Sequence, residues 1–341
     1  MKPDMNRWIE SAIAAETLRV MPAVTWPGLS LTGATVADAV RDGGVHAAAV
    51  VALARKWESA AATTIMDLSV EAEAFGAQVR FSDHEVPSVE GRLVKTDDHI
   101  QRLAVPSVDA ARVPEYRRAV RIAAREITDR PVFAGCTGPL SLAGRLYGMT
   151  EIMTALMIEP GAIHELLEKL TRFLGALLRS YRDEGAGGVF MAEPAAGMVS
   201  SGMCEEFSSA YIKRIVDSVQ DESFIVVLHN CGTTDELVES MVGTGAAAFH
   251  FGDSADMVQR LRVIPRDRCV MGNVSPVAMK LESPEQVRAR VRDLLSAAAS
   301  FPHFVLSTGC DVPPGTPVTT IDTLFETANA FAEGRGICAR T

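Results

Sequence analysis

Eight short apolar runs, each ending in polar residues, glycine or proline, alternate along this chain with stretches of helical spacing. They read as strands at 22–26, 61–69, 131–136, 188–194, 224–231, 246–251, 269–274 and 304–310. Between them lie predicted helices at 35–58, 109–129, 139–158, 161–184, 204–220, 233–242, 254–262, 284–299 and 318–333, the first of them capped by Thr35. Strand and helix taken in turn predict a parallel sheet covered by helices. Eight such repeats predict a single (β/α)8 TIM barrel. No linker, low-complexity run or repeat divides residues 1–341, so one domain is expected. Two features fall outside the repeat. Residues 1–20 form an N-terminal extension with an amphipathic helix at 5–19, and 78–95 reads as a β-hairpin projecting as a lid or rim.

In barrels of this kind the chemistry sits at the carboxyl ends of the strands. Asp67, Glu193, His229, Cys231, His250, Asn273 and Cys310 all fall at or near such ends. The run Phe224-Ile225-Val226-Val227-Leu228-His229-Asn230-Cys231-Gly232 is the most informative. Positions two apart on a strand share a face, so His229 and Cys231 project together. An imidazole and a thiolate make half of a tetrahedral zinc site. Phe304-Val305-Leu306-Ser307-Thr308-Gly309-Cys310 ends the same way. If both strand ends meet at one mouth, His229, Cys231 and Cys310 supply three ligands and leave the open position a catalytic zinc requires.

The remaining cysteines, Cys136, Cys204, Cys269 and Cys338, read as small buried residues. His46, His84, His99, His164 and His303 read as surface residues, and His250 as a structural histidine or a substrate contact. Six irregularly spaced cysteines do not form a disulfide framework and suit a reducing cytoplasm. A net charge of −10 argues against nucleic acid as a partner. The start of the chain, with Lys2, Asp4, Arg7 and Glu10, has no apolar export signal, and no apolar stretch is long enough to span a bilayer.

With these residues in place, the chain resembles the uroporphyrinogen decarboxylase superfamily, and within it the zinc-dependent corrinoid-to-thiol methyltransferases. The resemblance covers nearly the whole chain. It is carried by Cys136-Thr137-Gly138-Pro139-Leu140-Ser141-Leu142-Ala143, by Glu193-Pro194, by Gly272-Asn273-Val274, and above all by His229-x-Cys231 with Cys310-x-x-Pro313. It implies zinc on His229, Cys231 and Cys310 and an acceptor thiol, such as coenzyme M, activated at that zinc. It also implies a methylcobamide donor. The chain lacks an Asp-x-His-x-x-Gly corrinoid motif, so the donor would come on a separate corrinoid protein or as free methylcobalamin. Glu193 is then either a resting fourth ligand, a substrate-orienting group or a carboxylate bonded to nearby backbone. Asp67 and Asn273 are candidate substrate contacts. Superfamily members include dimers, so a homodimer is one expectation.

Two departures argue against decarboxylation. The arginine-rich opening segment of the decarboxylases is matched here by Pro22-Ala23-Val24-Thr25-Trp26-Pro27-Gly28-Leu29-Ser30, which has no arginine. Their Phe-Asp-Ser segment is matched by Met191-Ala192-Glu193-Pro194. A corrinoid-dependent demethylase running the other way, a decarboxylase-type lyase, and a metal-storing or corrinoid-docking subunit stay open as rival readings.

Overall fold

The computed structural model describes residues 3–14, 17–232 and 235–339. Its strands are β1 (Thr17–Val20), β2 (Ala62–Thr63), β3 (Gln78–Arg80), β4 (Ser88–Glu90), β5 (Val132–Thr137), β6 (Gly188–Ala192), β7 (Ile225–Asn230), β8 (Ala248–Phe251), β9 (Cys269–Val274), β10 (Phe304–Thr308) and β11 (Cys338–Ala339). Among the described residues one sheet runs β11-β1-β10-β9-β8-β7-β6-β5-β2 with parallel pairings. The gap between β1 and β2 is spanned by a 2.8 Å backbone hydrogen bond from Ala60 N–H to the Val20 carbonyl. With helices between successive strands, this is a TIM-barrel-type α/β fold.

The strands are buried on both faces, as parallel strands under helices must be. Along β7, Ile225 and Val227 pack with Phe133, Phe190, Cys269, Met271 and Val305 inside the barrel. Val226 and Leu228 pack outward in the larger cluster shared with the helices. His229 continues the inward series. The helix Met5–Ala12, capped by Asp4, joins the inner cluster and plugs its amino end. The Trp8 ring lies tilted 48° to that of Phe133 with centroids 5.6 Å apart, and its indole N–H donates to the Ala60 carbonyl at 2.9 Å.

Several expectations shift. The leading helix stops at Ala12, and the first strand is Thr17–Val20 rather than 22–26. After Met21 donates to the Leu306 carbonyl, Pro22 has no N–H to continue the ladder. Residues 22–26 become a loop over the barrel mouth. The second strand keeps only Ala62–Thr63 because the ladder ends one residue later: Thr64 donates to Phe133, and Ile65 N–H donates instead to His46 Nε2 at 2.8 Å. His46 is therefore buried, and so is His303; neither is the surface residue its loop or helix context suggested. Thr35 caps its helix in a capping box with Asp38, but that helix ends at Arg41 and Asp42 caps a second one, Gly43–Lys56. Gly148, at φ 97°, likewise divides 139–158 into Pro139–Tyr147 and Met149–Ile158. The hairpin at 78–95 is present as antiparallel β3 and β4. The predicted helix at 233–242 is observed over Val238–Gly243, with 233–234 outside the described residues. Cys136, Cys204 and Cys269 are buried; the side chain of Cys338 lies outside the described residues. Among the described residues no helix is long and apolar enough to cross a membrane.

Candidate functional site

The barrel places His229, Cys231 and Cys310 on one cavity of 240 Å³ at the carboxyl ends of the strands. Trp26, Met66, Leu68 and Pro194 line it with them, and Val86 and Pro87 of the hairpin form part of its wall. The hairpin is thus a rim of this site.

Each sulfur is held by the turn that follows its strand. After β7, the Asn230 side chain accepts from Gly232 N–H at 2.8 Å and donates to the Glu193 carbonyl at 3.0 Å, which fixes the bend carrying Cys231. After β10, Gly309 donates to the Val274 carbonyl, and the Asp311 carboxylate accepts from Thr25 N–H at 3.1 Å and from its hydroxyl. The Cys310 loop is thereby tied to the loop that carries Trp26. Burial pushes the Asp311 carboxyl up to about 7. The neighbouring Cys310 thiol, and after it the His229 imidazole, draw the Cys231 thiol down to about 4, while Cys231 in turn holds Cys310 above an ordinary thiol.

His229 is buried, and its Nε2 has no hydrogen-bond partner among the described residues. Its Nδ1 lies 2.7 Å from His250 Nδ1, while His250 Nε2 lies 2.9 Å from Ser307 Oγ. Burial, reinforced by His229, pulls His250 well below the usual histidine range, so it is neutral. With the Nε2 lone pair of His229 turned outward, its Nδ1–H donates to His250 Nδ1, and His250 Nε2–H donates to Ser307. The bond to His250 fixes the tautomer and orientation of the His229 ring. His250 therefore positions His229 and does not line the cavity, which corrects the substrate-contact expectation. Among the described residues no group of three or more His, Cys, Asp or Glu side chains is already gathered so as to hold a metal ion.

The other expected site residues are occupied elsewhere. Glu193 is buried. Its oxygens accept from Leu140 N–H at 2.8 Å, Ser141 N–H at 3.2 Å and Ser208 Oγ at 2.9 Å, so from the end of β6 it caps the helix Pro139–Tyr147 that follows the neighbouring strand β5. A Cβ on Gly138 would come within 2.0 Å of Glu193 Oε2, which is why a glycine stands there. Of the three roles open to Glu193, this geometry is that of a carboxylate bonded to backbone. Burial raises it to about 7. Asp67 accepts from Arg112 at 2.6 Å and Tyr116 at 2.9 Å beneath the surface. Asn273 donates to the Gly252 and Ala255 carbonyls and borders a separate open cleft with Asp253 and Arg290. Neither reaches the cavity as a substrate contact.

Sequence reasoning missed Arg145, Asp311 and Trp26. Arg145 had a signal: it is the lone charge in the helix sequence PLSLAGRLY. Glu71 was missed as well. Buried beside β5, it accepts from Thr137 N–H at 3.0 Å, and burial raises its carboxyl to about 7 against an ordinary 4.5. Between those values the folded protein binds a proton that the unfolded chain has released, so this group's contribution falls as pH rises. Relative to Glu71→Gln, wild type is expected to lose roughly 3 kcal/mol between pH 4.5 and 8. Denaturant titrations of both proteins across that range check it; parallel curves would refute it.

A family model described as uroporphyrinogen decarboxylase (URO-D) matches residues 28–331. The methylcobamide:CoM methyltransferase MtbA of Methanosarcina mazei is 26% identical over 273 residues, covering 78% of each chain. The uroporphyrinogen decarboxylase of Anaeromyxobacter dehalogenans is 28% identical over 285 residues, covering 80% of each. Among solved structures, a methyltransferase from Methanosarcina mazei superposes with a TM-score of 0.87 at 20% identity, over 96% of this chain and 99% of that one.

Proposed function

The chain belongs to the uroporphyrinogen decarboxylase (URO-D) family, and we propose that within it this protein is a methyltransferase that moves a methyl group from a methylated corrinoid to a small thiol, at a zinc site made of His229, Cys231 and Cys310. The observation that carries this reading is the meeting of two thiols and an imidazole with a buried, unpartnered Nε2 on one cavity at the strand ends. One nitrogen and two sulfurs are a donor set suited to catalytic zinc, and a buried nitrogen without a partner is costly unless a ligand completes it. The similarity to a methylcobamide:CoM methyltransferase supports the same chemistry.

Bound there, zinc would deprotonate an acceptor thiol, whose ordinary pKa of about 8.5 leaves only a small fraction as thiolate at neutral pH. The chain's own residues do the rest. His250 and Ser307 aim the His229 ring, the Asn230 turn presents Cys231, and the Asp311–Thr25 clamp presents Cys310. Trp26, Met66, Leu68, Val86 and Pro87 keep water from the reacting sulfur. The acceptor sulfur forms the new S–C bond as the Co–C bond of the donor breaks, the electron pair leaves with cobalt, and the thiol proton passes to solvent. A corrinoid protein or free methylcobalamin meets the acceptor at the barrel mouth. The free state of Cys136, Cys204, Cys231, Cys269 and Cys310 supports a reducing, cytoplasmic setting.

The decarboxylase reading lacks the groups its substrate needs. Among the described residues, Arg145 is the only basic residue on the cavity wall apart from His229, whereas an octacarboxylate requires several. Purified, zinc-supplied protein is expected to convert methylcobalamin in a thiol-dependent way, followed by the change in cobalamin absorption, and to leave uroporphyrinogen intact. Uroporphyrinogen turnover without methyl transfer would replace this reading with the lyase.

A further inference from the structure

Cys231 and Cys310 follow strands that are not neighbours: in the order β10-β9-β8-β7, two strands stand between them. Strands lie about 4.8 Å apart, so roughly 14 Å of sheet separates the ends of β7 and β10. Two sulfurs on one tetrahedral zinc, each about 2.3 Å from the metal, are only about 3.8 Å from each other. The loops that leave the two strands must therefore converge with very little between them. What stands between them is the loop after β8.

Gly252 of that loop lies against Cys231: a Cβ on Gly252 would come 2.7 Å from Cys231 Cα and 2.8 Å from its carbonyl oxygen. One residue on, Asp253 lies against the other loop, where a Cβ on Gly309 would meet Asp253 N at 2.5 Å and its Cα at 3.0 Å. These are backbone atoms, so no change of rotamer relieves the contact. Neither glycine has a positive φ, so space alone selects glycine at both positions. Gly252-Asp253 is thus a septum one backbone thick, with the Cys231 turn on one side and the Gly309-Cys310 turn on the other. It is pinned from both neighbouring strands. Gly252 N–H donates to the Asn230 carbonyl at 3.1 Å, and the Asn273 side chain donates to the carbonyls of Gly252 at 2.9 Å and Ala255 at 2.8 Å. Gly309 N–H in turn donates to the Val274 carbonyl at 2.7 Å.

We propose that Gly252 and Gly309 are positioning residues that set the separation of the Cys231 and Cys310 sulfurs, with Asn273 anchoring the loop between them. That this separation serves a metal rests on the zinc reading; the spacing itself rests on the backbone contacts. Non-bonded carbons settle about 3.7 Å apart, so a methyl at position 252 drives Cys231 back by about 1 Å. Zinc–ligand distances hold to within about 0.2 Å, so the site cannot absorb that retreat without weakening.

The test compares Gly252→Ala, Gly309→Ala and Asn273→Ala with wild type and with Gly161→Ala, a helical glycine whose added Cβ would meet nothing within 4 Å. Zinc affinity is measured by chelator competition, and cobalt(II) is bound in its place to read the thiolate-to-metal charge-transfer band. Circular dichroism establishes which variants are folded. Gly252→Ala and Gly309→Ala are expected to bind zinc about 10–100-fold more weakly, with a diminished charge-transfer band, and Asn273→Ala about tenfold more weakly. Gly161→Ala should match wild type. A folded glycine variant that binds both metals as wild type does overturns the proposal, because a purely structural role lowers stability and leaves the affinity of the folded molecule unchanged. Should neither glycine variant fold, Asn273→Ala, which adds no bulk, decides: weakened binding supports the assignment and wild-type binding overturns it. Should wild type bind neither metal, the zinc reading falls, and the spacing is read in the metal-free protein by oxidation with diamide, which takes up the two thiol hydrogens as a Cys231–Cys310 disulfide forms. A disulfide that forms in wild type and at least about tenfold more slowly in the variants keeps the positioning role. Equal rates, or no disulfide in wild type, remove it.

Discussion

Cys310→Ala is expected to abolish stoichiometric zinc and thiol-dependent methyl transfer together. Replacing groups that merely orient a metal ligand typically costs 10–100-fold in affinity or activity, so removal of a ligand should lower activity by at least about 100-fold. The reason lies in the donor set. His229 and Cys231 come from one strand end and fill two positions; without Cys310 the third must be water, which holds zinc poorly. Removing Cys310 also removes the neighbour that does most to lower the Cys231 pKa. Folding should survive, because Cys310 is only half-buried and the loop is tied by Asp311 to Thr25 and by Gly309 to Val274. Cys204→Ala is the control. That thiol is buried against Ser209 and Ser240, away from the cavity, and its loss should leave zinc content and activity in place. Metal analysis and methylcobalamin assays on the three proteins check this.

Arg112→Ala is expected to cause the largest loss of stability among the changes considered. Arg112 bonds Asp67 at 2.6 Å, Glu73 at 2.6 Å and Ser69 Oγ at 2.9 Å, and the Asp67 side chain is wholly out of solvent. Truncating the arginine leaves a buried carboxylate with neutral donors from Tyr116 and Ser69 but no counter-charge, and breaking such a pair from one side costs about 3–5 kcal/mol. The same cluster sits beside the loop that follows β2, where Met66 and Leu68 reach the cavity, so acceptor KM should rise as well. Equilibrium denaturation gives the stability change. A loss below about 1 kcal/mol would mean that the pair is solvated and of surface value only.

The barrel was legible in the chain because its signal is repeated. Buried parallel strands must be apolar throughout, and 188–192, 225–230, 269–274 and 304–308 stand out for that reason. Where the pattern is interrupted the reading slipped. The leading helix read over 5–19 ran on into the first strand, and the ladder of β2 gives way to a histidine side chain, a long-range event that no local pattern records. The three candidate ligands were legible through period-two spacing at strand ends, which survives folding because it is set by the backbone. Asp67, Glu193, His250 and Asn273 share the same strand-end address, yet their side chains turn to Arg112, to a helix terminus, to His229 and to loop carbonyls. Sequence position reports which end of a strand a residue occupies; it does not report what its polar atoms have already bonded. Arg145 is the converse case, a helix residue whose lack of a partner is visible only once Glu71 and Asp67 are seen to be engaged.

The most direct measurement is zinc K-edge X-ray absorption on the zinc-loaded wild-type protein, with and without an acceptor thiol. Ligation by His229, Cys231 and Cys310 predicts about two sulfurs near 2.3 Å with nitrogen or oxygen near 2.0–2.1 Å, and about three sulfurs once the thiol is added. Zinc surrounded by nitrogen and oxygen alone, or a sulfur count unmoved by the thiol, would contradict the account.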